Sequence, residues 1–217
     1  MKILCVGYRD WAKNIYFKLK KKKKKNQKFY FHFNKLNLEK KIYKIKPDYI
    51  LFYGWSWYIK KKIFSKFKCL MLHPSALPKF RGGSPLQNQI IRNINSSAVT
   101  IFIINDILDG GDIVYQSKLS LRGTLEEIFK RISMIGFKAT YKILNSKKIK
   151  QKKQNHSKAT YFKRRRPEQS EITFNELRNS EPIYLYNKLR MLADPYPNPF
   201  IKIQNKKIII KDFKIKS

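Results

Sequence analysis

Short apolar runs alternate with amphipathic stretches along the first two thirds of the chain, and this alternation constrains the fold more than any other feature. Four buried strands are predicted, at residues 3–6, 29–33, 49–53 and 69–72. Three helices are predicted between them, at residues 11–19, 36–45 and 59–67. Strands that alternate with helices in this way favour a parallel sheet with helices on both faces.

The pattern continues beyond the fourth strand. A helix is predicted at 85–94, strands at 99–105 and 113–121, and a long amphipathic helix at 125–144. Thr124, followed three residues later by Glu127, is typical of a capping box at the start of that last helix. We therefore predict an α/β fold with a Rossmann-like, mostly parallel sheet, formed by a domain at 1–146.

The composition changes after Asn145, where a polar and basic stretch begins. We interpret residues 147–158 as a linker, followed by a helix at 183–193. Two strands at 200–203 and 207–211 are predicted to form a hairpin that turns at Asn205-Lys206. Residues 147–217 are therefore expected to be a linker and a small C-terminal extension made of a short helix and a β-hairpin.

Net charge is the extreme feature of the composition, at +35 from 49 basic and 14 acidic residues. One interpretation is a polyanionic partner, above all RNA, for which the run Lys20–Lys25 would be a contact. The other is compositional bias, which is favoured because only ten of the 49 basic residues are Arg, the better bidentate reader of phosphate. Both interpretations stay open at this point.

The two cysteines, Cys5 and Cys69, lie in apolar runs, so we expect buried, reduced thiols. The N-terminal apolar run ends before Arg9, which is too short for a signal peptide. No run approaches the roughly 18–20 apolar residues that span a bilayer. These features predict a cytoplasmic protein without membrane contact.

Several common site motifs are missing. Gly7 follows the first strand without the further glycines of a dinucleotide or nucleoside triphosphate loop. The three histidines do not have metal-ligand spacing, and no metal is predicted.

Two polar segments remain as candidates for chemistry, His73–Gly83 and Leu108–Asp112. Both follow predicted strands, and ligands bind at the carboxyl ends of strands in such sheets. His73 facing Asp109 would make an acid–base pair in which the carboxylate orients the imidazole and stabilises its charged form. The alternative is a structural histidine and an ordinary tight turn.

The segments HPSALPKFRGGSP and VTIFIINDILDGGDIV resemble the signature of the folate-dependent formyltransferases, a family that includes methionyl-tRNA and sugar N-formyltransferases. The resemblance covers Met1 to about Leu144. It implies a formyltransferase fold, an enzyme, and catalytic roles for His73 and Asp109. The family's catalytic Asn falls on Met71, which cannot donate a hydrogen bond. Ser56, Ser75, Asn88, a backbone N–H or a water are the candidate substitutes.

The resemblance also implies ligands. The formyl donor would be 10-formyltetrahydrofolate, with cofactor-binding residues at Trp55, Ser56, Leu77, Leu108 and Asp112. Substrate binding is expected at Arg81 and Gln87.

The acceptor amine is less constrained. Residues 161–172 and 194–200 are similar to the tail of sugar N-formyltransferases, which favours a nucleotide-linked amino sugar whose diphosphate would suit Arg81 or the Arg164–Arg166 cluster. Methionyl-tRNA is the alternative, favoured by the charge. A catalytically impaired folate-binding relative is a third interpretation, favoured by Met71. A homodimer is also considered.

Overall fold

The structure, a computed structural model, describes residues 1–213. Its strands are β1 Lys2–Val6, β2 Lys28–His32, β3 Tyr49–Tyr53, β4 Lys68–His73, β5 Arg81–Gly82, β6 Ser96–Ile103, β7 Ile113–Ser120, β8 Tyr161–Phe162, β9 Phe200–Ile203 and β10 Lys206–Ile209. Its α-helices are α1 Asp10–Lys21, α2 Leu38–Ile45, α3 Lys61–Phe64, α4 Pro85–Ile90, α5 Leu125–Asn145, α6 Phe174–Asn179 and α7 Pro182–Arg190.

A six-stranded sheet of order β2-β1-β3-β4-β6-β7 forms the centre. Strands β2, β1, β3 and β4 are parallel, whereas β6 and β7 are antiparallel to their neighbours. This confirms the predicted α/β fold with a mostly parallel sheet. The antiparallel edge was not predicted, because an apolar run does not reveal the direction in which its strand is paired.

Helices cover both faces of the sheet, as predicted. Successive side chains of β1 alternate between two apolar clusters, since side chains of a strand point to opposite faces. One cluster joins the sheet to α1 and α5, and the other joins it to α2 and α3. The capping box of α5 is confirmed: Glu127 N donates to Thr124 Oγ1 at 3.2 Å, and Thr124 N donates to Glu127 Oε2 at 2.9 Å.

The part of the chain after Asn145 packs against the part before it. Met191 and Leu192 are buried in the cluster that also contains the apolar face of α5. Arg190 Nη1 donates to the carbonyl oxygens of Leu121 at 2.7 Å and Gly123 at 3.0 Å. Strand β8 pairs in parallel with β5. The division at residue 146 therefore stays a prediction, and the extension shares its core with the preceding domain.

Several predicted boundaries were wrong by a few residues. Strand β6 begins at 96 rather than 99, α4 ends at 90 rather than 94, and α7 ends at 190 rather than 193. Asn93 and Gln204 take positive φ values of 56° and 53°, and such left-handed residues turn the chain out of regular structure. The hairpin turn consequently lies at 204–205, one residue earlier than predicted.

Both cysteines are buried free thiols. Burial raises the pKa of Cys69 to about 12 and raises the pKa of Cys5 above its ordinary range. Within residues 1–213, no helix combines the length and apolar character that a membrane crossing requires.

Candidate active site

His73 is the last residue of β4, and only 5% of its surface is exposed. Its Nδ1 lies 3.6 Å from Oδ2 of Asp109, which is 8% exposed. Its Nε2 lies 2.7 Å from the backbone carbonyl oxygen of Phe80. The structure therefore brings together the imidazole and the carboxylate that the sequence singled out.

Asp109 reaches His73 by a route that the sequence did not predict. We expected parallel strands to deliver both motifs to one sheet edge, and this was wrong because β6 is antiparallel to β4. Ile103 at the end of β6 lies opposite Leu70, whereas His73 lies opposite Thr100. The chain must therefore return over about 10 Å, three residues of strand, before Asp109 meets the imidazole.

The contact with Phe80 determines which imidazole nitrogen carries the lone pair that could accept a proton. A backbone carbonyl oxygen can only accept a hydrogen bond, so the proton of the neutral imidazole lies on Nε2 of His73. The Nδ1 lone pair then faces the gap toward Asp109. A proton taken up at Nδ1 produces an imidazolium beside a carboxylate, and the negative charge of that carboxylate stabilises it.

Phe80 and Asp109, which contact His73, have strained backbone conformations that neighbouring residues hold in place. Phe80 and Asp109 have positive φ values of 60° and 48°. The ring of Phe80 stacks on Phe162 with centroids 4.7 Å apart, and its backbone N donates to Thr160 Oγ1 at 2.8 Å. Residues with such φ values persist where surrounding contacts fix them, and they concentrate at functional sites. The extension, through residues 160–162, thus fixes the carbonyl that orients His73.

Arg81 and Gln87, predicted to bind substrate, are both buried. Arg81 is 0% exposed, and its Nη2 donates to Gln154 Oε1 at 2.7 Å while its Nη1 donates to the Tyr161 hydroxyl at 2.7 Å. Gln87 lies on α4 with 4% of its surface exposed. Arg81 is therefore engaged with the protein itself, and a substrate role for either residue stays a prediction.

The predicted cofactor-binding residues lie in three places. Trp55 and Ser56 follow β3, where the Ser56 hydroxyl lies 2.5 Å from that of Tyr8. Leu77 is buried at 3% exposure in the loop after β4. Leu108, at 61% exposure, and the half-buried Asp112 flank the Asp109 turn. Because β3 and β4 are neighbours in the sheet, Trp55 and Ser56 begin the loop beside the end that carries His73.

Met71 occupies the same face of β4 as His73, two residues earlier, and packs among apolar side chains. Two of the candidate substitutes already donate elsewhere: Ser75 Oγ to Lys79 O at 2.8 Å, and Asn88 Nδ2 to Gly83 O at 2.9 Å. The indole Nε1 of Trp55 is buried and has no hydrogen-bond partner within residues 1–213. It is a donor that the sequence did not indicate.

Phe80 and Gln154 were also missed. Phe80 acts through its carbonyl oxygen, which every residue has, and Gln154 lay in a stretch interpreted as linker although only 5% of it is exposed. No local pattern marks either residue. In the described part of the chain, no cluster of three or more His, Cys, Asp or Glu side chains could hold a metal ion.

Fold and site together define a doubly wound α/β protein with a buried histidine–aspartate pair at the end of a central strand. The sequence model of one family, described as formyl transferase, matches residues 9–144. The chain belongs to this family.

Comparison with known proteins adds detail. The chain is 37% identical to the methionyl-tRNA formyltransferase from Clostridium thermocellum, over 100% of this chain and 94% of that one, with a TM-score of 0.90. It is 30% identical to the methionyl-tRNA formyltransferase of Finegoldia magna over 79% of this chain and 56% of that protein. The chain spans about half the length of the curated methionyl-tRNA formyltransferases that it matches. A 4-N formyltransferase from Francisella tularensis shares the fold, with a TM-score of 0.75 and 19% identity over 100% of this chain and 99% of that one.

Proposed function

We propose that this protein transfers a formyl group from 10-formyltetrahydrofolate to an amine. The observation that carries the proposal is the His73–Asp109 pair, with Nδ1 of the imidazole 3.6 Å from the carboxylate, in a chain that belongs to the formyl transferase family. An imidazole whose Nε2 proton is donated to Phe80 O can accept a proton at Nδ1. Formyl transfer to an amine needs a base of this kind, because the amine nitrogen must lose a proton.

Transfer forms a bond between the amine nitrogen and the formyl carbon and breaks the bond from that carbon to N10 of the folate. His73 Nδ1 takes the proton that the amine must lose, and the Asp109 carboxylate stabilises the resulting imidazolium. The same proton is then available to N10 as it leaves, so the imidazole ends neutral. Burial of both side chains excludes water from the proton path and strengthens their interaction.

Two residues of the candidate site have the chemistry that folate binding requires. The exposed side chain of Leu108 and the indole of Trp55, with its unpartnered N–H, offer the apolar surface and the donor that a flat heterocycle with a reacting carbonyl requires. We assign Ser56, Leu77 and Asp112 to the same ligand on the family resemblance. The folate supplies the activated formyl group.

For the acceptor, methionyl-tRNA is the first candidate. Relatives named as methionyl-tRNA formyltransferases match this chain at 30% and 37% identity. The charge of +35 also suits a polyanion, since clustered cations release counterions from phosphates.

A nucleotide-linked amino sugar is the second candidate, supported by the C-terminal extension. Its segment Asp194–Phe200 resembles the sugar N-formyltransferase tail and packs on the loop after β1: Arg9 Nη1 donates to Pro195 O at 3.3 Å, and its guanidinium lies 5.0 Å from the centroid of the Tyr196 ring. Arg164 Nη2 lies 3.5 Å from Ser56 O. A guanidinium beside the loop that follows β3 suits a diphosphate.

Formyl transfer by the purified protein tests the proposal. With 10-formyltetrahydrofolate, charged initiator tRNA and a panel of amino-sugar nucleotides are offered separately. His73→Gln and Asp109→Asn should each abolish transfer to the acceptor that the parent uses, with an unchanged unfolding midpoint. Turnover with both changes in place would refute the assignment. Folate binding without turnover on any acceptor would instead support a catalytically impaired relative, consistent with Met71.

A further inference from the structure

We propose that Gln154 is a positioning residue, which together with Arg81 holds the Asp109 turn so that its carboxylate faces His73. This inference rests on the proposed function, because it concerns the same acid–base pair. Gln154 lies outside the residues 9–144 that the family model matches.

Both amide hydrogens of Gln154 are used on the Asp109 turn. Nε2 donates to Asp109 O at 2.9 Å and to Gly111 O at 2.7 Å. These two carbonyl groups belong to the residues on either side of Gly110, so the side-chain amide of Gln154 bridges the turn. Since Asp109 has a φ of 48°, a conformation that a residue with a side chain seldom adopts, the turn needs contacts of this kind to persist.

The acceptor oxygen of Gln154 is used as well, by Arg81. Arg81 Nη2 donates to Gln154 Oε1 at 2.7 Å. No carboxylate within the described residues forms an ion pair with Arg81, although the side chain is fully buried. A buried cation without a counterion needs hydrogen-bond acceptors, and these are Gln154, the Tyr161 hydroxyl and Nδ1 of His156, which lies 3.2 Å from Arg81 Nη2.

The Arg81–Gly82 dipeptide thus holds Asp109 in two ways. The side chain of Arg81 acts on the turn's backbone through Gln154, and the backbone N of Gly82 donates directly to Asp109 Oδ2 at 2.8 Å. Both residues belong to β5, which pairs with β8 of the extension. The extension therefore determines where the carboxylate lies, although it contributes no side chain to the acid–base pair.

Removing the amide should displace the carboxylate without dismantling the fold. Gln154→Leu keeps the bulk and removes both donors and the acceptor. Because a displacement of about 1 Å can cost on the order of 100-fold in rate, we expect kcat for formyl transfer to fall about 10- to 100-fold while KM for the folate stays within about threefold.

The matched control is Asn187→Leu. Asn187 is also a buried amide of the extension, 1% exposed, and its Oδ1 accepts a 2.8 Å bond from a buried arginine, Arg190. It lies on α7, and Arg190 holds the carbonyl oxygens of Leu121 and Gly123 rather than the Asp109 turn. This variant should lose stability to a similar degree and keep the parental kcat.

A spectroscopic measurement separates this inference from the proposed function. The chain has three histidines, so the ¹⁵N imidazole signals of His73 can be assigned by single substitutions and read without any turnover. Gln154→Leu should move the Nδ1 shift of His73 in the direction that Asp109→Asn moves it, and Asn187→Leu should not. Parental Nδ1 and Nε2 shifts in Gln154→Leu, or equal changes in Asn187→Leu, would overturn the positioning role even if formyl transfer is never observed.

Discussion

Asp109 Oδ2 accepts a 2.8 Å hydrogen bond from the backbone N of Gly82, and the same oxygen faces His73 Nδ1 at 3.6 Å. A backbone donor cannot rotate away as a side chain can, so this bond fixes the carboxylate relative to the imidazole. The bond requires Gly82 at a φ of 93°, where a Cβ atom would lie 2.5 Å from the carbonyl oxygen of Phe162. Glycine is therefore the residue that lets β5 approach both β8 and the Asp109 turn.

We predict that Gly82→Ala lowers both stability and formyl transfer. The positive φ costs an alanine on the order of 1 kcal/mol, and the clash with Phe162 O adds to that cost because a backbone atom cannot move aside cheaply. We expect a total loss of about 2–4 kcal/mol in the free energy of unfolding by urea and a fall in kcat, since relief of the clash moves the N–H away from Asp109.

Gly123→Ala is the matched control for this prediction. Gly123 has a similar φ of 85°, and a Cβ there would meet Glu127 Oε2, which accepts a hydrogen bond from Thr124 N in the capping box of α5. Gly123→Ala should therefore lose about 2–3 kcal/mol, of which about 1 comes from the positive φ and the rest from the weakened cap, and it should keep its kcat. Equal losses of activity in the two alanine variants would argue that Gly82 matters only through general stability.

A second prediction concerns the hydrogen-bond donor that replaces the side-chain amide of the family's catalytic Asn, whose position Met71 occupies. Trp55 Nε1 is buried without a partner in the described part of the chain, so Trp55→Phe removes no existing hydrogen bond. If this N–H stabilises the negative charge that develops on the formyl oxygen, kcat should fall on the order of 100-fold with little change in the unfolding midpoint. Trp57→Phe, in the same aromatic cluster, should keep kcat within about threefold. A parental rate for Trp55→Phe would leave Ser56, a backbone N–H or a water as the donor.

A third prediction follows from His32, which is 8% exposed and whose Nε2 has no partner within residues 1–213. Burial, assisted by the charge of Lys41, lowers the pKa of His32 below its ordinary value of 6.5. As pH falls through 6.5, His32 of the unfolded chain binds a proton that His32 of the folded protein does not yet bind. The free energy of unfolding therefore decreases below that pH. His32→Gln should remove this part of the slope between pH 7 and 5 in urea titrations. An unchanged slope would contradict it.

How much of the fold and of the candidate site can be predicted from the sequence depends on how far apart the interacting residues lie along the chain. The strands and helices on both faces of the sheet were predictable because apolar periodicity is local. The helix α6, which was not predicted, also had a local signal, since Thr173 and Glu176 form a capping box that the structure shows at 3.1 Å and 2.9 Å.

The two titratable side chains of the candidate site could be predicted from the sequence, but the groups that hold them in place could not. His73 and Asp109 were found because their residue types carry chemistry. Phe80 contributes only a carbonyl oxygen, and Gln154 contributes only when residues 154 and 109 meet in space. Neither contribution leaves a local trace, because each depends on a pairing between distant segments, here β5 with β8.

The final prediction distinguishes RNA binding at a particular cluster of lysines from attraction of RNA by the net charge of the whole protein. Residues 60–62 and 23–25 are two lysine triplets. Each lysine of the first contacts a carboxylate, since Lys60 and Lys62 contact Glu39 and Lys61 lies 3.1 Å from Asp106. The second is exposed and has no ion pair within residues 1–213. It lies near the end of α5, because Gln27 Nε2 donates to Asn145 Oδ1 at 3.3 Å.

Changing either triplet to Gln removes three positive charges, so the two variants have the same net charge. If residues 23–25 contact phosphates, the triple Gln variant should weaken binding of initiator tRNA and reduce the slope of log K against log salt by about 2–3, because each contact contributes about 0.9. The 60–62 variant should weaken binding far less, since each of its lysines is already paired with a carboxylate. Fluorescence titrations at several salt concentrations measure both. Equal weakening would show that total charge alone attracts the RNA, and this would remove residues 23–25 as a site of contact.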